Sequence, residues 1–407
     1  MGSSSEEKED ASVVSRDKSG NSNKNVHDDY NDFPLVQLMM DSEARRTKAL
    51  TTEGAKQMEY PKSNVGWMKS LFVLEGRALD RIIVPWTIVT LNAVVWAIVY
   101  DAMGFLDPPE GGYDLVSLRK NYIEGILELV LTTTMAFLLV FRLNRSATRF
   151  WMARGCWGII VVRVRSMVGS ILLHGSHDPH HRDQTIKWIA AFSIASMNHT
   201  RGLFGENGGI DPNTVAGVLT PEDLEDLNSS EHPPLYAADM IRFHLAGLFG
   251  PADFLTEGNP KSIGSSPHDT TARTIAISDF RTQQLLSLER QLNVMIDEEG
   301  ALERIKGTPL PLVYVTHLRT WLMLFLLTLP YFWEASLGYA IIPVEFLAAF
   351  ALLGLEGAAA EVEAPFSKDR TNHLDMDSFC LAIYSNILQQ AKEDARRRIQ
   401  TKQIKKA

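Results

Sequence analysis

Four long apolar runs mark the chain, and they come in two pairs. The first, Ile82 to Tyr100, reads IIVPWTIVTLNAVVWAIVY and carries no charged residue. About 20 such residues suffice to cross a bilayer as a helix. Pro85 lies near its start, where a helix tolerates proline. The second run extends from about Tyr122 to Phe141 and passes straight into a basic stretch holding Arg142, Arg145, Arg149 and Arg154. Between the two runs, DPPEGG is a loop signature. The third run, Pro311 to Trp333, and the fourth, Ala335 to Leu355, are joined near Pro330 and broken near Pro343. The predicted spans are therefore about 82–101, 122–141, 312–333 and 335–355. They form two hairpins. Arg81 and the arginines after Phe141 put the hairpin ends on the inner side by the positive-inside rule.

Ionisable residues interrupt these runs: Glu124 near the outer end of the second and, deeper, Glu128, His317, Arg319 and Glu345. Ionisable groups at such depth are costly unless they face protein or water. They are expected to bond between helices, to snorkel to the interface or to line a wet path. Glu128 and Glu345 are each expected to retain a polar partner.

Outside the runs the periodicity is helical, and no alternating strand pattern is convincing. Arg142 to Leu173, Ile186 to Arg201 and Ser278 to Arg304 read as helices of an inner, cytosolic body from 142 to 308. PEDLEDL reads as one short helical turn within a Gly- and Asp-rich loop, and Glu257 to Thr271 reads as another loop. Residues 1–60 are rich in Ser, Asn, Asp and Glu and are expected to be a disordered tail, with Phe33 to Met40 its one apolar patch. Residues 391–407 read as a polar C-terminal tail. The fold class is an all-α membrane protein with four spans and long cytosolic helices.

Composition alone conceals this organisation. Hydrophobic residues make up 45% of the 407, an ordinary soluble value, because the polar segments dilute the runs. A net charge of −9 argues against a nucleic-acid partner. Two cysteines, Cys156 and Cys380, provide no disulfide scaffold. HGSHDPHHRD gathers His174, His177, His180 and His181, but its Gly and Pro and irregular spacing read as a solvated loop, and no metal is assigned. No phosphate-binding glycine loop, HExxH or catalytic triad pattern is present, so no catalytic residue and no cofactor is assigned.

One row of residues carries the functional expectation. Thr133, Phe137 and Phe141 recur every four residues in the second run. In a helix they share one face, stacked along its axis. Arg142, Arg145 and Arg149 continue at helical spacing, with Trp151 and Trp157 among them.

The stretch FRLNRSATRFWMARGCWG resembles the signature of the bestrophin family. The likeness falls on Phe141, Arg142, Asn144, Arg149, Phe150, Trp151, Ala153, Arg154, Trp157 and Gly158, with Phe150 where the family usually has Trp. PLVYVTHLR, which contains His317, resembles the start of the family's third span, and GLEGAAAEVEAPFSKDRTNHLDMD resembles the segment after its fourth. The resemblance covers about Ser70 to Gln390, within an expected channel domain of 61–390. It implies a homopentamer in a lipid bilayer with one central pore, whose neck falls on Thr133, Phe137 and Phe141. It also implies a lower aperture between Ala276 and Glu298. The family's animal members bind calcium through an acidic cluster after Pro-Phe. Here Pro365 and Phe366 precede only the dispersed Asp369, Asp375 and Asp377, as in bacterial relatives, which leaves calcium unsupported.

The reading that follows is a passive channel for chloride and other small monovalent anions, with bicarbonate a further candidate. A non-conducting scaffold or partner subunit and a secondary anion carrier are the alternatives. An enzyme is not expected. Relatives in photosynthetic organisms include thylakoid channels, so the plasma membrane and the chloroplast thylakoid membrane both remain open.

Overall fold

The computed structural model describes residues 30–51, 79–102, 123–204, 208–250, 269–368, 370 and 372–406. The stretch before Tyr30, residues 52–78, residues 103–122 with their DPPEGG sequence, and residues 251–268 lie outside the described residues. Among the described residues, four helices are long and apolar enough to cross a membrane. They are α3 (Leu79–Ala102), the first part of α4 (Ile123–His174), α9 (Leu312–Leu337) and α10 (Ile341–Val362), with a 3₁₀ turn at Gly338–Ala340 joining the last two. The first three follow the apolar runs closely. The fourth extends to Val362, beyond the Leu355 expected, because GLEGAAAEV remains helical.

These helices pack into an apolar core of Val89, Met135, Leu139, Leu318, Leu322, Leu326 and Ala349. Their outer faces expose Ile83, Leu91, Val95, Ile98 and Leu347, as lipid-facing helices do. The polar residues between the helices are mostly paired. Asn92 Nδ2 donates to the Leu327 carbonyl at 3.0 Å. Trp333 Nε1 donates to Glu128 Oε1 at 2.9 Å, so Glu128 has the partner expected of it. Glu345 departs from the expectation. It is buried on the same face of α10 as Ile341 and Ala349, and its Oε1 has no hydrogen-bond partner.

α4 is 52 residues long. At 1.5 Å per residue it measures about 78 Å, against about 30 Å of hydrocarbon. Its second half therefore leaves the membrane layer and forms one wall of a helical body. α5 (Pro179–Arg201) runs through the centre of that body, and from Thr185 to Asn198 nearly every residue is buried. A helix apolar on all sides has to be surrounded. α7 (Pro233–Phe249), α4 and α11 (Met376–Lys406) surround it, with α6 (Pro221–Ser229) and α8 (Asp269–Gly307) completing the body.

Two expectations need correction. The tail is not featureless between residues 34 and 51. α1 (Pro34–Asp41) and α2 (Glu43–Thr51) dock on the body through Leu35, Val36, Met39 and Leu50. Arg46, buried, donates to the carbonyls of Met39 and Ala216 and lies 5.0 Å from the Tyr384 ring centre. Gly217, at φ 71°, sits so close to α1 that a Cβ there would strike Ser42 and the Leu38 carbonyl. Residues 391–406 likewise form no loose tail. They continue α11, which buries Ala391 and Ala395, and Arg398 donates to the Leu172 carbonyl at 2.8 Å. The His-rich stretch is a connection between two helices, as expected: a four-residue turn followed by the start of α5, with Ser176, His177 and His180 exposed. Asp178 caps α5 by accepting from His181 N, and His177 Nε2 lies 2.7 Å from the Leu248 carbonyl. Both cysteines are free and buried, in keeping with the absence of a disulfide framework.

Candidate functional site

Thr133, Phe137 and Phe141 stand one turn apart on an exposed face of α4. Phe137 is 63% exposed and Phe141 42%. Their rings meet edge to face, with centroids 4.5 Å apart. On the opposite face Met135, Leu139 and Arg142 are buried. The single chain therefore covers one side of this helix and leaves an apolar, aromatic strip on the other.

Just past the strip, the arginines pair with the end of the fourth span. Arg142 is 1% exposed. Its Nε bonds Glu356 Oε2 at 3.1 Å and its Nη1 bonds Glu363 Oε2 at 2.8 Å. Arg319, which interrupts the third run, donates to Glu356 Oε1 at 2.8 Å. Arg149 donates to three carbonyls at helix ends: Glu363 at 3.0 Å, Thr308 at 2.9 Å and Ile305. A guanidinium there satisfies carbonyls that the helices leave open and complements their dipoles. Arg154 lies over the Phe379 ring at 4.6 Å, and Trp157, fully buried, stacks on the same ring. On the first span, Arg81 pairs with Glu361 at 3.1 Å, and Arg370 reaches Asp80 at 2.8 Å.

The basic motif thus holds the second span to the segment following the fourth. Arg142, Arg149, Arg154 and Trp157 are brought together with that segment; Asn144, Trp151 and His317 are exposed and are not. The acids that complete the knot, Glu356, Glu361 and Glu363, were missed as partners. Their signal was three carboxylates within eight residues at the exit of an apolar run that needs counter-ions for arginines elsewhere.

Comparison with known proteins decides the family. The family described as Bacterial/Fungal Bestrophin protein matches residues 58–389. The chain belongs to the bestrophin family. It is accordingly an integral, multi-pass membrane protein of a channel family, not of an enzyme family. This bestrophin is 29% identical over 280 residues to a voltage-dependent anion channel-forming protein of Nostoc sp., covering 67% of this chain and 80% of the relative. It is 24% identical to a chloroplastic voltage-dependent chloride channel of Arabidopsis thaliana over 62% of this chain and 52% of that protein. A crystal structure of a bacterial bestrophin homolog from Klebsiella pneumoniae superposes with a TM-score of 0.57 at 20% identity, covering 77% of this chain and 99% of that one. That likeness supports the fold alone.

The segment after Pro365 and Phe366 is used for structure. Arg201 grips both oxygens of Asp377, one at 3.1 Å. Asp375 caps the start of α11, accepting from Ser378 N at 3.0 Å. Calcium needs six or more converging oxygens, and these carboxylates already have protein partners. Asp369 lies outside the described residues.

Proposed function

We propose that this bestrophin is a passive anion channel, conducting chloride and, as a second candidate, bicarbonate. Five copies surround one axis, and the Thr133, Phe137 and Phe141 rows of α4 form its neck. One observation supports this most: an aromatic strip, exposed on the single chain, sits on the span leading into a fixed basic knot. A single helix cannot enclose a path, so the strip acquires a role only when copies are arrayed around it. Apolar constrictions gate by dewetting. Aromatic edges carry positive potential and favour an anion that has lost part of its water. Thr133 leaves two aromatic rings in the row, which makes the upper neck more easily wetted. The Nostoc and Arabidopsis relatives, by their names, form anion or chloride channels, and their likeness supports the same activity here. Native mass measurement is expected to give five chains per particle. The test of the activity is current from purified protein in a planar bilayer under a tenfold KCl gradient. Reversal near the chloride potential, about 59 mV from zero, supports a channel. Absence of current from intact particles leaves a scaffold, and a flux that saturates and requires a second ion gradient leaves a carrier.

A further inference from the structure

Three helices bring His199, His232 and Glu299 to one point that neither the spans nor the basic knot uses, with Glu303 beside it. His199 lies in the last turn of α5, His232 stands at the N-terminus of α7, and Glu299 and Glu303 are one turn apart on α8. One ligand atom from each of His199, His232 and Glu299 lies within 4.8 Å of the other two. Glu303 stands beside this group, one oxygen towards each histidine. Its Oε1 is 3.6 Å from His199 Nε2 and its Oε2 is 3.6 Å from His232 Nε2.

Hydrogen bonding does not account for this arrangement. Good N–H···O bonds span about 2.7–3.2 Å, and the contacts to Glu303 are longer. Glu299 is 2% exposed, and its Oε1 is buried with no hydrogen-bond partner. A buried carboxylate without a partner is costly. A cation held between the two imidazoles and this carboxylate would supply the partner that Glu299 lacks.

We infer that His199, His232 and Glu299 bind a divalent metal ion of the zinc class, with Glu303 beside them. Two imidazole nitrogens and a carboxylate oxygen form a three-residue donor set that zinc accepts at about 2.0–2.2 Å, with a fourth position left for Glu303 or solvent. Ligand atoms around such an ion stand roughly 3.4 Å apart, and these three residues already bring theirs within 4.8 Å of one another. Calcium and magnesium prefer oxygen donors throughout. Coordination by His232 Nε2 places its proton on Nδ1 and gives up the 3.3 Å cap that Leu235 N–H donates there. Lys306 does not compete for the ring, because its Nζ donates to the His199 carbonyl at 2.8 Å. The bound ion joins α5 and α7 to α8 and acts as a clamp within the body.

The test uses the full chain in detergent, stripped with a chelator and equilibrated with zinc against excess magnesium. Bound metal is counted by elemental mass spectrometry, and thermal unfolding is followed with and without zinc. Wild type is expected to retain about one zinc ion per chain and to melt higher with zinc. His199→Ala/His232→Ala and Glu299→Gln are expected to weaken binding about tenfold or more. A second histidine pair, His181 and His244, with Nδ1 atoms 3.2 Å apart, serves as the control. His181→Ala/His244→Ala should keep the ion. Circular dichroism establishes that each variant is folded, and Glu299→Gln, which keeps volume, carries the readout if the histidine variant is not. Wild type without bound zinc, or folded site variants that bind as tightly as wild type, overturns the assignment.

Discussion

Replacing Arg142 with alanine tests the basic knot most severely. Its guanidinium is 1% exposed and holds Glu356 and Glu363, whose side chains are 8% and 14% exposed. Removing one member of a buried ion pair costs about 3–5 kcal/mol, chiefly because the other charge remains buried. Both carboxylates keep one partner each: Arg319 on Glu356 Oε1 and the Leu310 N–H on Glu363 Oε1, both at 2.8 Å. The expected loss is therefore near the low end, about 3 kcal/mol. Arg319→Ala removes a side chain that is 55% exposed from the same Glu356, and exposed pairs contribute about 1 kcal/mol or less. Arg142→Met combined with Glu356→Leu removes both charges and is expected to recover much of the single loss. The assay is thermal unfolding of detergent-purified protein, with particle size followed by chromatography. Arg142→Ala should melt well below Arg319→Ala, and the double variant above Arg142→Ala. Equal midpoints for the two single variants would refute the argument that burial sets the cost.

Three further outcomes follow from other contacts. Asp377→Asn breaks the buried pair with Arg201 that fixes α11 to α5, and is expected to cost about 3 kcal/mol or more, read as a lower melting midpoint. Met39→Ala, in the docked α1, empties a fully buried site and should cost about 2 kcal/mol; proteolysis near residue 40 should accelerate with it. His244 is held down to about 4 by burial and by His181 and His180. The unfolded chain then binds the proton first, so stability is lost as pH falls from about 6.5 towards 4, and His244→Asn should flatten that decline in a melting-versus-pH series.

Local pattern made the spans legible, because a bilayer demands long apolar runs and nothing else in the chain resembles them. The same pattern placed Phe137 and Phe141 on one face before any neighbour was known. Partners were not legible. Glu356 lies 214 residues from Arg142, and the histidines near Glu299 come from two other helices, so no spacing announces either group. α7 has no counterpart among the helices read from the sequence; Pro233 and Pro234 occupy its first turn, where proline is favoured. α1 is eight residues long, too short to hold alone in water. Its helix depends on docking Leu35, Val36 and Met39, which composition cannot reveal. The arginine-rich end of α11 hid only two buried alanines, Ala391 and Ala395, among charges.

The neck is the central claim, and single-channel recording of Phe137→Ala and Phe141→Ala tests it most directly. Both variants must first be shown to assemble to the same particle mass as wild type. Removing either ring widens and wets the proposed constriction, so conductance or open probability is expected to rise, more than for Thr133→Ala. Intact assemblies whose anion currents match wild type in all three variants would remove this row from the pore.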